Sequence, residues 1–65
     1  MKSKLRNDQK RAIIDAQNYI YASNKDSAAR LISFVIRSAM RQTQIEELMR
    51  YAKFAGLTDH PEFKA

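Results

Sequence analysis

Cysteine is absent from this chain, and histidine, glycine and proline occur once each, as His60, Gly56 and Pro61. Each shortage removes a class of protein. Without cysteine there is no disulfide scaffold, no thiolate metal site and no Cys–His nucleophile, and one histidine excludes a multi-histidine metal centre. A single glycine cannot build a phosphate-cradling glycine loop. Long apolar runs are missing too. The N-terminal stretch MKSKLRNDQKR is charged where a signal peptide would need about 7–15 apolar residues, so no signal peptide is expected. Arg30 and Arg37 interrupt the only segment that approaches the roughly 20 apolar residues of a membrane span. These absences point to a cytoplasmic protein with no membrane association, no cofactor, no metal and no catalytic residues.

With 65 residues there is room for one domain, and a chain of this size buries only about 60% of its unfolded surface. In the absence of disulfide or metal, oligomerisation is the remaining staple for so small a core.

What is present favours helix. Gly56 and Pro61 both lie late, no segment alternates apolar and polar residues, and long uninterrupted stretches carry helical periodicity. We expect an all-α fold of two or three helices, assembled as a homodimeric helical bundle. The helices fall at about 4–22, 27–41 and 43–55, followed by a C-terminal turn or tail over 58–65. Ser3 or Asn7 would cap the first helix, and Asp26 the second. Asn24 suits the left-handed end of the first. Thr43 and Glu46 have capping-box spacing, which separates the third helix from the second; the alternative is one continuous helix from Ser27 to Phe54. Gly56 followed by Leu57 reads as a Schellman stop.

At 100° per residue, Leu5, Ala12, Ile13, Ala16, Tyr19 and Ile20 share the core side of the first helix, while Ile14 and Tyr21 stack on roughly the opposite side. Ile45, Leu48, Ala52 and Ala55 form the core face of the third. The second helix is unusual. Ser33, Arg30, Arg37 and Arg41 occupy one narrow wedge, and Ala28, Ala29, Leu31, Ile32, Val35, Ile36, Ala39 and Met40 fill most of the rest. That arc is roughly twice the 100° stripe of an ordinary surface helix, so it needs cover on two flanks. Met40 and Met49 are expected as gap-fillers, and Tyr19 and Tyr51 as packed rings.

Ile14, Tyr21, Leu31 and Phe34 are therefore the candidate contacts for self-association or for a protein partner not identified by the sequence. The second candidate surface is cationic. Net charge is +5, with +4 in residues 1–11, +2 in 12–41 and −1 in 42–65. Arg30, Arg37 and Arg41, joined by Lys10 and Arg11, are candidate anion or nucleic-acid contacts, since the guanidinium fork matches phosphate geometry. The expected function is that of a small non-enzymatic regulator or adaptor acting by helix-mediated association. A basic nucleic-acid-binding regulator is the alternative.

Two DNA-binding architectures share features with the chain. Leu48–Thr58, LMRYAKFAGLT, is similar to the first helix and turn of a helix-turn-helix motif. The seven residues after it, Pro61 among them, do not supply a recognition helix. Residues 1–8 lack the alternating strand pattern of the ribbon-helix-helix architecture. Neither family is assigned. Asp59, His60 and Glu62 read as a solvated C-terminal cap rather than a metal or acid–base cluster.

Overall fold

The computed structural model describes residues 4–64, with the backbone alone at residue 64. Its elements are α1 (Asn7–Tyr21), α2 (Lys25–Ser38), α3 (Gln42–Phe54) and the short α4 (Pro61–Lys64), with no strand among the described residues. The expected all-α architecture with three main helices is present; the helix ends differ in instructive ways.

The cap expected at Ser3 lies outside the described residues, and Asn7 is the first helical residue rather than a cap. Arg6 takes the N-cap position, and its N–H donates to Gln9 Oε1 at 2.8 Å. Leu5 is buried although it precedes the helix.

Between α1 and α2 the chain turns through Ala22, Ser23 and Asn24. Ser23, not Asn24, adopts the left-handed conformation, with φ 61°. Its N–H donates to the Ile20 carbonyl at 3.0 Å and that of Asn24 to Tyr19 at 2.8 Å, the two bonds of a Schellman stop. Asn24 is thereby placed to cap α2, its Oδ1 accepting the Ser27 N–H at 3.3 Å. The capping role expected of Asp26 passes to Asn24, and Asp26 lies inside the first turn.

The second helix stops at Ser38, three residues short of the expected end. Ser38 Oγ donates to the Phe34 carbonyl at 3.0 Å, a local side-chain bond that competes with the helical ladder. Ala39 and Arg41 are extended, with ψ 135° at each, and Arg41 is the N-cap of α3. Arg41 is therefore not on the α2 face, the Thr43–Glu46 box does not define the start of α3, and the continuous helix is excluded. At the far end Gly56 has φ 74°, its N–H donates to the Lys53 carbonyl, and Leu57 N–H reaches Ala52 at 2.8 Å, so the expected Schellman stop is formed.

The core is built largely from alanine. Ala16, Ala28, Ala29 and Ala52 are fully buried around Ile32 and Leu57, and side chains this short let helix backbones approach closely. Ile13, Ile20, Val35, Ile36 and Phe63 close over them. α2 packs on α1, α3 and α4. Its wide apolar arc is thus covered in part within one chain, α4 included, while Leu31, Val35, Ile36 and Ala39 stay half-buried and Met40 is exposed. Ser33 belongs to the buried side rather than the polar wedge, and its Oγ accepts from Arg37 Nη2 at 3.0 Å. Tyr19, expected as a packed ring, and Met40 and Met49, expected as gap-fillers, are exposed. No helix among the described residues is long and apolar enough to cross a membrane.

Candidate functional site

On α1, Ile14 and Tyr21 are seven residues apart and share a face, because seven residues span nearly two helical turns. They are 57% and 79% exposed. Gln17, between them, accepts a 2.8 Å hydrogen bond from the Tyr51 hydroxyl of α3. Burial and the nearby Tyr21 phenol both push the Tyr51 pKa up, because each disfavours the phenolate. Tyr51 therefore ties α3 to the edge of the Ile14–Tyr21 face. Phe54, one turn beyond Tyr51, is also exposed.

The other two apolar candidates part company. Phe34 is 65% exposed and stands on the side of α2 opposite the buried Ala28, Ile32 and Ala29. Leu31 is half-buried and packed against the core cluster.

The cationic candidates are likewise divided. Arg37 is 3.5 Å from Glu62, and Arg11 is 3.7 Å from Asp15. Arg30, Arg41 and Lys10 are exposed. Arg41 sits at the corner between α2 and α3, so the expected stripe of three arginines on one helix is not formed.

That corner contains a feature that helical periodicity did not reveal. An open cleft of about 600 Å³ lies between the corner and the N-terminal segment, lined by Lys4, Arg6 and Arg41 with Met40 at its side. Gln9 and Gln44, only 4% and 7% exposed, also line it. Their amides bond to each other, Gln9 Nε2 donating to Gln44 Oε1 at 3.3 Å, and Gln44 Nε2 donates to the Lys4 carbonyl at 3.4 Å. The one signal available in the sequence was glutamine standing at core positions of two amphipathic helices.

His60 and Glu62 join the C-terminal turn to α2. His60 Nε2 lies 2.6 Å from Asp26 Oδ1, and His60 Nδ1 accepts the Glu62 N–H at 3.1 Å. Asp26 is held below the usual carboxylate range, first by that hydrogen bond and then by the charges of His60 and Arg30, against a small opposing effect of burial. No group of three or more His, Cys, Asp or Glu side chains that could hold a metal ion occurs among the described residues.

The described residues thus define a compact all-helical protein whose distinctive surfaces are an apolar face on α1 and a cationic cleft. No protein-family model, curated protein or solved structure matches the chain.

Proposed function

We propose that this is a small, non-enzymatic cytoplasmic regulator or adaptor that works by presenting a fixed helical surface, to a second copy of itself and to a protein partner. The observation carrying this reading is the Ile14–Tyr21 face of α1, two large apolar side chains left exposed on one face of a helix whose other side is already packed on α2. A partly wet aromatic beside an aliphatic residue is typical of interface cores. The Tyr51–Gln17 bond holds that face in place. Phe34 offers a second apolar contact on the far side of α2.

Sedimentation velocity over a concentration range tests the proposal. The native chain is expected to associate reversibly, and Ile14→Ser with Tyr21→Ser to shift it to monomer with helicity unchanged. A native protein that stays monomeric at high micromolar concentration would overturn the self-association.

Direct nucleic-acid binding is the second reading, favoured by the net charge of +5 and by exposed Arg30, Arg41 and Lys10, which make no ion pair among the described residues. It ranks second because Arg41 lies at the corner after α2, so no stripe of three arginines forms on one helix face. Phosphate-backbone binding would appear as affinity that falls steeply with salt; no affinity at low salt would remove it.

A further inference from the structure

The cleft between the N-terminal segment and the α2–α3 corner is charged with one sign. Among the described residues Lys4, Arg6 and Arg41 line it with no acidic side chain, and Met40 is the one large apolar side chain. Arg6 is engaged at 3.4 Å by Asp8, an exposed pair that screens it weakly. Lys4 and Arg41 have no ion pair among the described residues. Glu47 stands close by, its Oε1 accepting the Lys4 backbone N–H at 3.4 Å, and it is not part of the lining.

The floor of the cleft holds these cations in position. Gln44 Nε2 binds the Lys4 carbonyl, Gln9 Oε1 binds the Arg6 N–H, and the two amides bind each other. Two buried amides are an expensive way to fill space, since each must find hydrogen-bond partners to be tolerated. Here the network pins the backbone on both sides of Leu5, and so fixes where Lys4 and Arg6 emerge. Charges brought together by a rigid support are the arrangement that recognises an anion without reorganising. The hydroxyl groups of Ser38 and Thr43 also line the cleft and can donate to the same ligand.

We propose that this cleft binds a small phosphorylated anion carrying two or more phosphates. Three cations match a multiply charged ligand better than a single carboxylate, and the arginine forks suit phosphate oxygens. The volume of about 600 Å³ accommodates a diphosphate with its attached group. With no aromatic ring among the described residues of the lining, recognition falls on the phosphates rather than on a base. Binding draws the N-terminal segment and the α2–α3 corner together, so the ligand also stabilises the fold.

The test is a titration of the full chain with sodium pyrophosphate at constant ionic strength, followed by backbone amide shifts and by calorimetry. The expected result is saturable one-to-one binding, with shifts concentrated at Arg6, Gln9, Arg41, Thr43 and Gln44. Arg41→Gln should weaken it roughly tenfold or more, the loss of a charge-assisted hydrogen bond. Arg50→Gln, which removes a cation outside the cleft, should leave it unchanged. Tighter competition by adenosine triphosphate than by inorganic triphosphate would identify a nucleotide as the source of the phosphates, and equal or weaker competition would assign the site to phosphates without a base. Absence of saturable binding, shifts spread evenly over all the cations, or equal loss in both variants would overturn the proposal. The amide shifts of the native chain decide even if a variant folds poorly.

Discussion

His60 and Asp26, 34 positions apart, meet at 2.6 Å and join the C-terminal turn to the first turn of α2. His60 uses both ring nitrogens there, Nε2 toward Asp26 and Nδ1 as acceptor for the Glu62 N–H. Arg37 and Glu62 add a second tie at 3.5 Å, one side of α4. Between them the ties hold the turn that seats Leu57 and Phe63 on the core.

The His60–Asp26 link predicts a sided pH response. The Asp26 carboxyl is depressed in the folded protein, so its stabilisation is fully present above the unfolded carboxylate pKa of about 3.9 and is lost as pH falls through the lower folded value. Asp26→Asn should lower the urea midpoint at neutral pH and leave a flatter acid limb than the native chain. Midpoints measured from neutral pH down to strong acid check this; parallel acid limbs would contradict it.

Ser23 and Gly56 occupy equivalent left-handed positions, with φ of 61° and 74°. A left-handed L residue costs about 1–2 kcal/mol, partly offset by the greater chain entropy glycine loses on folding. Ser23→Gly should therefore stabilise by up to about 1 kcal/mol, raising the melting temperature by several degrees for a domain of this size. Gly56→Ala should destabilise by roughly 1 kcal/mol. An added Cβ there would find its nearest neighbour, Lys25 Nζ, at an ordinary 3.8 Å, so the cost is conformational rather than steric. Thermal melts of both variants test the pair.

The buried Gln9–Gln44 pair predicts non-additivity. Gln44→Leu leaves Gln9 Nε2 and the Lys4 carbonyl without their partner and should cost about 1–3 kcal/mol, whereas the Gln9→Leu/Gln44→Leu double variant leaves only the Arg6 N–H and the Lys4 carbonyl unpartnered and should cost less than the sum of the singles. A double-mutant cycle by denaturant unfolding measures the coupling. Simple additivity would mean that the bond contributes nothing.

Tyr51 governs the alkaline side. Its pKa is raised in the folded state, so the stabilisation is complete below the unfolded value near 10 and disappears as pH rises through the higher folded value. Tyr51→Phe should cost about 0.5–1.5 kcal/mol at neutral pH by loss of the bond to Gln17. It should also flatten the alkaline limb. Tyr21→Phe should lower the Tyr51 midpoint in an ultraviolet titration, because it removes the second charge.

Helix existence and the α3 stop were legible from spacing alone, since Gly56 and Leu57 act within a few residues of Ala52. The α1–α2 turn was legible in place but not in detail. Asn24 suits both the left-handed position and the cap, and the registers of the two helices decided between them. The end of α2 was misplaced because Ala39 and Met40 continue the apolar period after the backbone has left the helix. Of the candidate contacts, Ile14, Tyr21 and Phe34 were readable as off-core positions on a wheel. Leu31 was not, because the core cluster it packs against is assembled from several helices.

The sequence by itself determined that the chain is helical, where its main helices lie, and that their core faces are small and aliphatic. Those properties depend on residues within about four positions of one another, the reach of a helical turn. Only the tertiary structure decided that α4 would cover α2, that His60 would take Asp26, and that Lys4, Arg6 and Arg41 would line one cleft. The Gln9–Gln44 and Gln44–Lys4 contacts bridge 35 and 40 positions. Separations of that length are set by how helices pack, which no local pattern records.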